Sequence, residues 1–233
     1  MPKPWKRVSS RPVGEFRIFS IRSDRTISPR TGKEHDFFVI DCANWVNVIA
    51  LTPDQQLVMI EQYRHGSNTV ELEIPGGMVD AGDASPEAAG IRELREETGY
   101  EGANPQLIGW VYPNPAIMSN TCFTVLVENC RYTTAVKFDQ AEDLITRLVP
   151  VAEIPKLFAA GKIRHSLVNA AFHHFELWRR ASLSGRGVEP PARQTGLLKT
   201  DSVWEVLTLR PGWQDATRYG RHDACRNSAR ALN

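Results

Sequence analysis

The sequence predicts an α+β sandwich in which a mixed sheet lies between helices. Three observations lead there. Strand-like segments follow one another from Phe16 to Ile74 and resume from Leu107 to Val149. One short helix, Pro86 to Thr98, interrupts the run. Two more, Ile154 to Ala160 and Ser166 to Arg180, close it. Helices placed within and after a set of strands can cover the two faces of one sheet.

Taken in order, residues 1–12 are rich in Pro, Lys and Arg and are expected to be irregular. Phe16 to Arg22 is a strand, Ser28-Pro29-Arg30-Thr31-Gly32 a turn, and Asp36 to Asp41 a second strand, which together make a hairpin. Val46 to Leu51 is a buried-type strand; Thr52-Pro53-Asp54 turns the chain, and Gln56 to Tyr63 returns as its partner. Thr69 to Ile74 alternates apolar and polar residues and delivers the chain to the glycine-rich loop Ile74-Pro75-Gly76-Gly77-Met78-Val79-Asp80-Ala81-Gly82. Leu107 to Tyr112, Cys122 to Val127 and Leu144 to Val149 complete the strands, the first two flanking the insert Pro113 to Asn120. Gly161 stops the first late helix, and the second offers Leu167, Val168, Ala171, Phe172, Phe175 and Trp178 to a core. Ser182 to Thr195 reads as a linker, Trp204 to Leu209 as an edge strand, and the remainder to Asn233 has little periodicity. The expected division is an N-terminal strand extension over 1–45, a main domain over 46–181, and a linker and tail over 182–233.

With 233 residues, 42% hydrophobic and 24% charged, the chain is of ordinary globular composition, long enough for one sizeable domain and an appendage. A net charge of +1 gives no electrostatic footprint for nucleic acid or an anionic membrane. No apolar run approaches the ~20 residues that span a bilayer, and the N-terminus lacks the apolar stretch of a signal peptide. Cys42, Cys122, Cys130 and Cys225 show neither CxxC nor metal-ligand spacing, so reduced thiols in a cytoplasm are expected.

The informative stretch is the inserted helix. Ser85 suits its N-cap, Pro86 its first turn and Gly99 its C-terminal stop. Ala88, Ile91 and Leu94 recur at helical spacing and can face a core. Glu93 and Glu97 stack one turn apart with Glu96 alongside. Like charges at i,i+4 cost a few tenths of a kcal/mol, and the helix C-terminus is the wrong end for them. A hard divalent cation such as Mg²⁺ or Mn²⁺, which takes oxygen ligands and tolerates phosphates in its shell, turns that cost into a binding site. The bland alternative is a solvated acidic face. For His165, His173 and His174, which lack partner ligands at metal spacing, the bland alternative is preferred: surface or core packing.

The glycine loop and the run Arg92-Glu93-Leu94-Arg95-Glu96-Glu97-Thr98-Gly99-Tyr100 together resemble the Nudix box, a loop–helix–loop metal site. Gly77, Arg92, Glu93, Leu94, Glu96, Glu97, Gly99 and Tyr100 match. The acid after Gly82 departs from the pattern: it is Asp83 and not Glu, and eight residues rather than seven separate it from Arg92, with Ala84 as the insertion. The resemblance covers roughly residues 14–180 and implies an α/β/α sandwich. Ile60-Glu61-Gln62-Tyr63-Arg64, followed by Glu71-Leu72-Glu73-Ile74-Pro75-Gly76-Gly77, resembles the ADP-ribose and nucleoside-diphosphate-sugar pyrophosphatase branch, as do the N-terminal hairpin and Pro115.

That resemblance implies hydrolysis of the pyrophosphate of a nucleoside diphosphate linked to X, with ADP-ribose the default. It implies metal ligation by Glu93, Glu96, Glu97 and the carbonyl of Gly76, and Mg²⁺ (or Mn²⁺) as cofactor. Glu142, in the loop 137–143, is the positional match for the base, ahead of Asp139 and Asp143. Glu96 and Arg92 join it as catalytic candidates, Arg92 pairing with Glu96 at i,i+4 to orient it. Arg64 suits a pyrophosphate clamp. Phe37 or Trp45 would stack on the base, and Met78 and Pro115 complete the substrate contacts. Tyr100 is expected in the core. A homodimer through the N-terminal hairpin is the implied assembly. Other readings are a GDP-mannose or UDP-sugar pyrophosphatase, and a non-catalytic ADP-ribose-sensing module. Against the sensor stand the intact carboxylates and a tail without two helical periods for a helix-turn-helix.

Overall fold

A computed structural model gives the fold over residues 1–136 and 143–184. Residues 1–136 and 144–184 belong to one compact unit. The expected strand at Trp204–Leu209 and the candidate base Glu142 lie outside them.

The chain opens on an antiparallel sheet of three strands, β1 (Lys6–Glu15), β2 (Phe19–Ile27) and β3 (Glu34–Cys42), in that order. β1 corrects the expectation of an irregular start. Proline is tolerated because β1 is an edge strand and its register shifts between Pro12 and Gly14. β2 begins at Phe19 and not Phe16, since the Phe16 amide closes the preceding turn on the Phe19 carbonyl at 2.9 Å. The Ser28–Gly32 turn forms as expected, Gly32 taking φ +69°.

Four strands form a mixed sheet in the order β7 (Gly76–Met78), β4 (Trp45–Ala50), β9 (Cys122–Tyr132), β8 (Tyr100–Val111). β4 runs parallel to β9 and antiparallel to β7. A third sheet has the order β10 (Leu144–Pro150), β5 (Gln56–Arg64), β6 (Thr69–Glu73). The expected pairing of β4 with β5 is therefore corrected to a single bridge, Leu51 to Leu57. Both edges of β4 are already taken, by β9 and by β7, which the sequence shows only as a glycine-rich loop.

Strand alternation sorts the core to two sides. Val46, Val48 and Ala50 of β4 join Val58, Val125 and Val127 under Ala89 and Leu94 of α1 (Pro86–Thr98). Ile49, Met59 and Leu126 face Val168, Ala171, Phe172 and Phe175 of α3 (Ser166–Leu183). The result is helix, strands, helix, as predicted. The short α2 (Ile154–Ala159) ends before Gly161, at φ +64°. Leu167 and Trp178 are only half-buried, the Trp178 indole donating to Gln106 at 3.1 Å.

Candidate active site

β6 carries the chain through Ile74-Pro75 into β7, whose Gly76 and Gly77 pair with Asn47 and Val46 of β4. The helix that follows starts and stops as its sequence dictates. The Ser85 hydroxyl accepts from the Ala88 amide at 3.2 Å, and Gly99, at φ +71°, donates back to the Arg95 carbonyl at 2.9 Å. Its buried face differs from expectation. Ala89, Gly90, Leu94, Glu97 and Thr98 face inward, while Ala88 and Ile91 are half-buried. The rotation follows from Gly90, whose missing Cβ would lie 3.3 Å from Val48 and Val125, so the helix settles on the sheet there.

This rotation places the carboxylates. Glu97, 7% exposed, turns toward the loop, and its Oε2 accepts from the Gly76 amide at 2.9 Å. Glu93 lies over Gly77 so closely that a Cβ there would meet its carboxylate at 2.5–2.7 Å. Glu96 stays exposed on the outer side. Arg92 binds the group together: Nη1 donates to Glu93 at 2.9 Å and to Glu96 at 3.1 Å, and Nη2 to the Met78 carbonyl at 2.9 Å. The i,i+4 pair with Glu96 is thus present, as one bond of several.

Asp83 resolves the departure in the loop. Its two oxygens accept from Arg92 Nε at 3.1 Å and Nη2 at 2.9 Å, and one also takes the Asp80 amide at 2.8 Å. An Asp is one methylene shorter than a Glu, and the inserted Ala84 gives the loop the slack to bring it into reach. Burial works against the Asp83 charge, but the hydrogen bonds from Arg92 and the Asp80 amide outweigh it and hold its pKa below the ordinary value. Glu93 goes the other way. Burial, reinforced by Glu96 and Asp80, pushes its carboxyl up to about 7 although Arg92 opposes this.

Arg64, at the end of β5, forks onto Glu73, with Nε at 3.0 Å and Nη2 at 2.7 Å. Burial would lower its pKa, but Glu73 and then Glu97 raise it on balance. Glu73 is 2% exposed and escaped the sequence reading, because in an alternating strand it passes for the solvent side. Trp45 is half-buried directly opposite Met78 across β4 and β7. Phe37 stands on β3, exposed, its ring edge-on to Trp5 at 5.4 Å. Pro115 is exposed in the β8–β9 connection, which hydrogen-bonds to β3 through both the amide and the carbonyl of Ile40. The structure therefore gathers Gly76, Met78, Arg92, Glu93, Glu96 and Glu97, and shows no contact joining Phe37 or Pro115 to them among the described residues.

The histidines pack. His165 caps α3, accepting from the Leu167 amide at 3.2 Å; His174 Nδ1 bonds to Thr124 Oγ1 at 2.9 Å against Gly109; His173 is exposed. Tyr100 packs half-buried against the core on the α1 side. Cys42, Cys122 and Cys130 are free thiols.

As the side chains stand, no three His, Cys, Asp or Glu among the described residues converge enough to hold a metal ion, and in this cluster the Arg92 guanidinium bridges Glu93 and Glu96. The donor set still fits a hard divalent cation. All donors are oxygen, they line one turn of helix beside a backbone loop, and burial makes the charge on Glu93 costly without a cation.

The NUDIX domain family matches residues 44–169. The chain is 25% identical over 170 residues to an ADP-ribose pyrophosphatase of Mycobacterium tuberculosis (strain ATCC 25618 / H37Rv), covering 71% of this chain and 80% of that one. It is 37% identical over 134 residues to an ADP-sugar pyrophosphatase of Mus musculus, covering 52% of this chain and 58% of that one. A crystal structure of an ADP compounds hydrolase superposes with a TM-score of 0.68 at 19% identity, over 80% of this chain and 99% of the other, which bears on the fold.

Proposed function

The chain belongs to the Nudix family, and from that membership we infer that it is a pyrophosphohydrolase cleaving a nucleoside diphosphate linked to X, with ADP-ribose, split to AMP and ribose 5-phosphate, as the substrate. The observation that carries this reading is the carboxylate cluster of one helix: Glu93 and Glu97 lie against the Gly76-Gly77 backbone, and Arg92 ties Glu96 to Glu93 beside them. Relatives named as ADP-ribose and ADP-sugar pyrophosphatases support the substrate class.

Glu93, Glu96, Glu97 and the Gly76 carbonyl would hold the cation, Mg²⁺ in the first instance and Mn²⁺ in the second. Such an ion supplies two things when bound: charge for the phosphate oxygens and a lowered pKa for a bound water. With the ion held there, Arg92 would give up Glu93 and Glu96, and its bonds to Asp83 and the Met78 carbonyl would keep the loop in place. Arg64, fixed by Glu73, takes up phosphate charge. Trp45 and Met78, opposed across β4 and β7, offer an apolar wall for the nucleoside. Glu142 is the proposed proton acceptor and Pro115 and Phe37 the outlying substrate contacts.

A homodimer through the N-terminal sheet belongs to the same proposal. Adjacent residues of a strand point to opposite faces, and Phe37 and Phe38 are 47% and 58% exposed, as are Trp5, Val8 and Val13 in like measure. A sheet open on both faces is best covered by a second copy. Free, buried Cys122 and Cys130 suit a reducing cytoplasm. Among the described residues no helix is long and apolar enough to cross a membrane.

The test is turnover of a panel with Mg²⁺ or Mn²⁺: ADP-ribose, GDP-mannose, UDP-sugars, diadenosine polyphosphates and nucleoside triphosphates, beside Glu97→Gln and an EDTA blank. Metal-dependent AMP release from ADP-ribose, lost in the variant, is expected. Tight ADP-ribose binding without turnover of any compound would replace the enzyme by a sensor. Full activity in Glu142→Gln would move the base to Asp139 or Asp143. A monomer in sedimentation equilibrium would remove the dimer.

A further inference from the structure

We infer that Arg164, in the segment between α2 and α3, is a specificity residue for X: the free side of its guanidinium binds the oxygens of a sugar beyond the pyrophosphate. The inference deepens the hydrolase reading and rests on it.

β5 and β6 pair with Arg64 opposite Thr69, Gln62 opposite Glu71 and Ile60 opposite Glu73. Opposed residues share a face, so Arg64, Glu71 and Glu73 project to one side of the sheet. It is the side of α1, because Val58, on the same face of β5, packs in the core under that helix. The chain then sets an order. It passes Glu71, next Glu73, next the loop at Gly76 and Gly77, and last Met78, which stands opposite Trp45. A substrate with its pyrophosphate at the loop and its nucleoside on Trp45 and Met78 directs X back along β6. Arg64, on Glu73, is met first, and Arg164, on Glu71, about 7 Å further on.

Both arginines are held in the same way. Arg64 commits Nε and Nη2 to the two oxygens of Glu73. Arg164 donates Nε to one oxygen of Glu71 at 3.1 Å and Nη2 to the other at 2.8 Å, and Glu71 also accepts from the Thr69 hydroxyl at 2.5 Å. Ile163, the neighbour of Arg164, is buried in the core on the α3 side, so Arg164 reaches Glu71 round β6, the edge strand of its sheet. Each acid is buried and anchors its arginine from beneath, while the arginine side chains are 38% and 53% exposed. In both, Nη1 donates to no acceptor among the described residues. A planar fork fixed along one side has given up its rotamer freedom before a ligand arrives, and its remaining donors keep one direction. A salt bridge for stability alone gains little from a buried acid, since desolvation offsets the attraction. Hydroxyl and ring oxygens of a sugar accept from such donors, and an alkyl X does not.

The experiment compares full-length wild type, R64A, R164M and R164K on two compounds, ADP-ribose and the methyl ester of ADP, which keeps the nucleoside and pyrophosphate but has no sugar as X. kcat/KM is measured with Mg²⁺, and Kd by calorimetry on the analogues of both that carry a methylene between the phosphorus atoms. R164M should lose about tenfold in kcat/KM and in affinity on the ADP-ribose pair, as for one charged donor removed from a bound ligand. On the methyl ester pair it should stay within about twofold of wild type. R164K, whose ammonium still pairs with Glu71 but has no second side to offer, should show the same selective loss and serves if R164M does not fold. R64A should lose on both compounds alike, because they share the phosphates. Equal losses on the two compounds in R164M and R164K, as from a merely structural salt bridge, or no loss on either, overturn the inference and leave the hydrolase reading standing. Turnover of neither compound by wild type removes that reading and the inference with it.

Discussion

Adding one methyl group at Gly77 should separate activity from stability. Gly77 does not need positive φ, so alanine fits its backbone, and the three nearest atoms a Cβ would meet all belong to the Glu93 carboxylate. The closest would be 2.5 Å away, where ordinary contact begins at 3.4 Å, so the carboxylate must retreat by the difference, 0.9 Å. A misplacement of about 1 Å in a positioned group can cost about 10²-fold in rate. The fold should not suffer, because the displaced atoms end a flexible side chain, and replacing glycine by alanine at a compatible site stabilises by about 0.4–1 kcal/mol through the unfolded state. Gly77→Ala is therefore expected to lose roughly 10²-fold in kcat/KM on ADP-ribose with Tm level or slightly raised. The neighbouring Gly76→Ala is the control. Its Cβ would strike the Val46 backbone carbonyl and lie 3.1 Å from Asn47 Cα, so the β4–β7 pairing itself must shift and Tm should fall. Initial rates and thermal melts on both variants decide the matter. Gly77→Ala with kcat/KM within about threefold of wild type would refute the claim that the position of Glu93 governs the reaction.

Three further outcomes follow from the same contacts. Glu97→Gln keeps an acceptor for the Gly76 amide but removes a charge, so turnover should vanish while the melting temperature moves by no more than a few degrees; an active variant would take Glu97 out of the cation site. Leu94→Ala empties a fully buried position under α1 and should cost about 2–5 kcal/mol in urea unfolding. His174 has its pKa lowered, first by burial and then by His173, so the folded chain binds this proton less readily than the unfolded chain. Stability is then complete above the unfolded pKa of about 6.5 and declines as pH falls through it toward the folded value. Melts from pH 8 to 5 should show that decline, and a shallower one in His174→Gln; equal slopes would contradict it.

The local chemistry of the inserted helix was legible because it is written in adjacent residues. Ser85, Pro86 and Gly99 mark its ends through their own backbone preferences, and the spacing of Glu93, Glu96 and Glu97 fixes their crowding in any helix. What the sequence does not contain is the direction the helix faces. Ala88 and Ile91 look as fit for the core as Ala89 and Gly90, and only the approach allowed at Gly90 turns Glu97 inward and sets Glu93 over Gly77. Strand partners are likewise non-local. A short turn after β4 promises a hairpin with β5, yet β9, more than seventy residues on, and β7, hidden in a glycine loop, claim both edges. The same holds for charge. Glu71 and Glu73 read as the wet side of an alternating strand until Arg164 and Arg64, distant in sequence, arrive to neutralise them in the interior. Alone, the sequence determined the helices, most of the strands and which acids crowd together, because propensity and periodicity act over a few residues; β1 and β7 form only through their strand partners. Tertiary structure decided which faces are buried and which arginine meets which acid, because those depend on surfaces contributed by the whole chain.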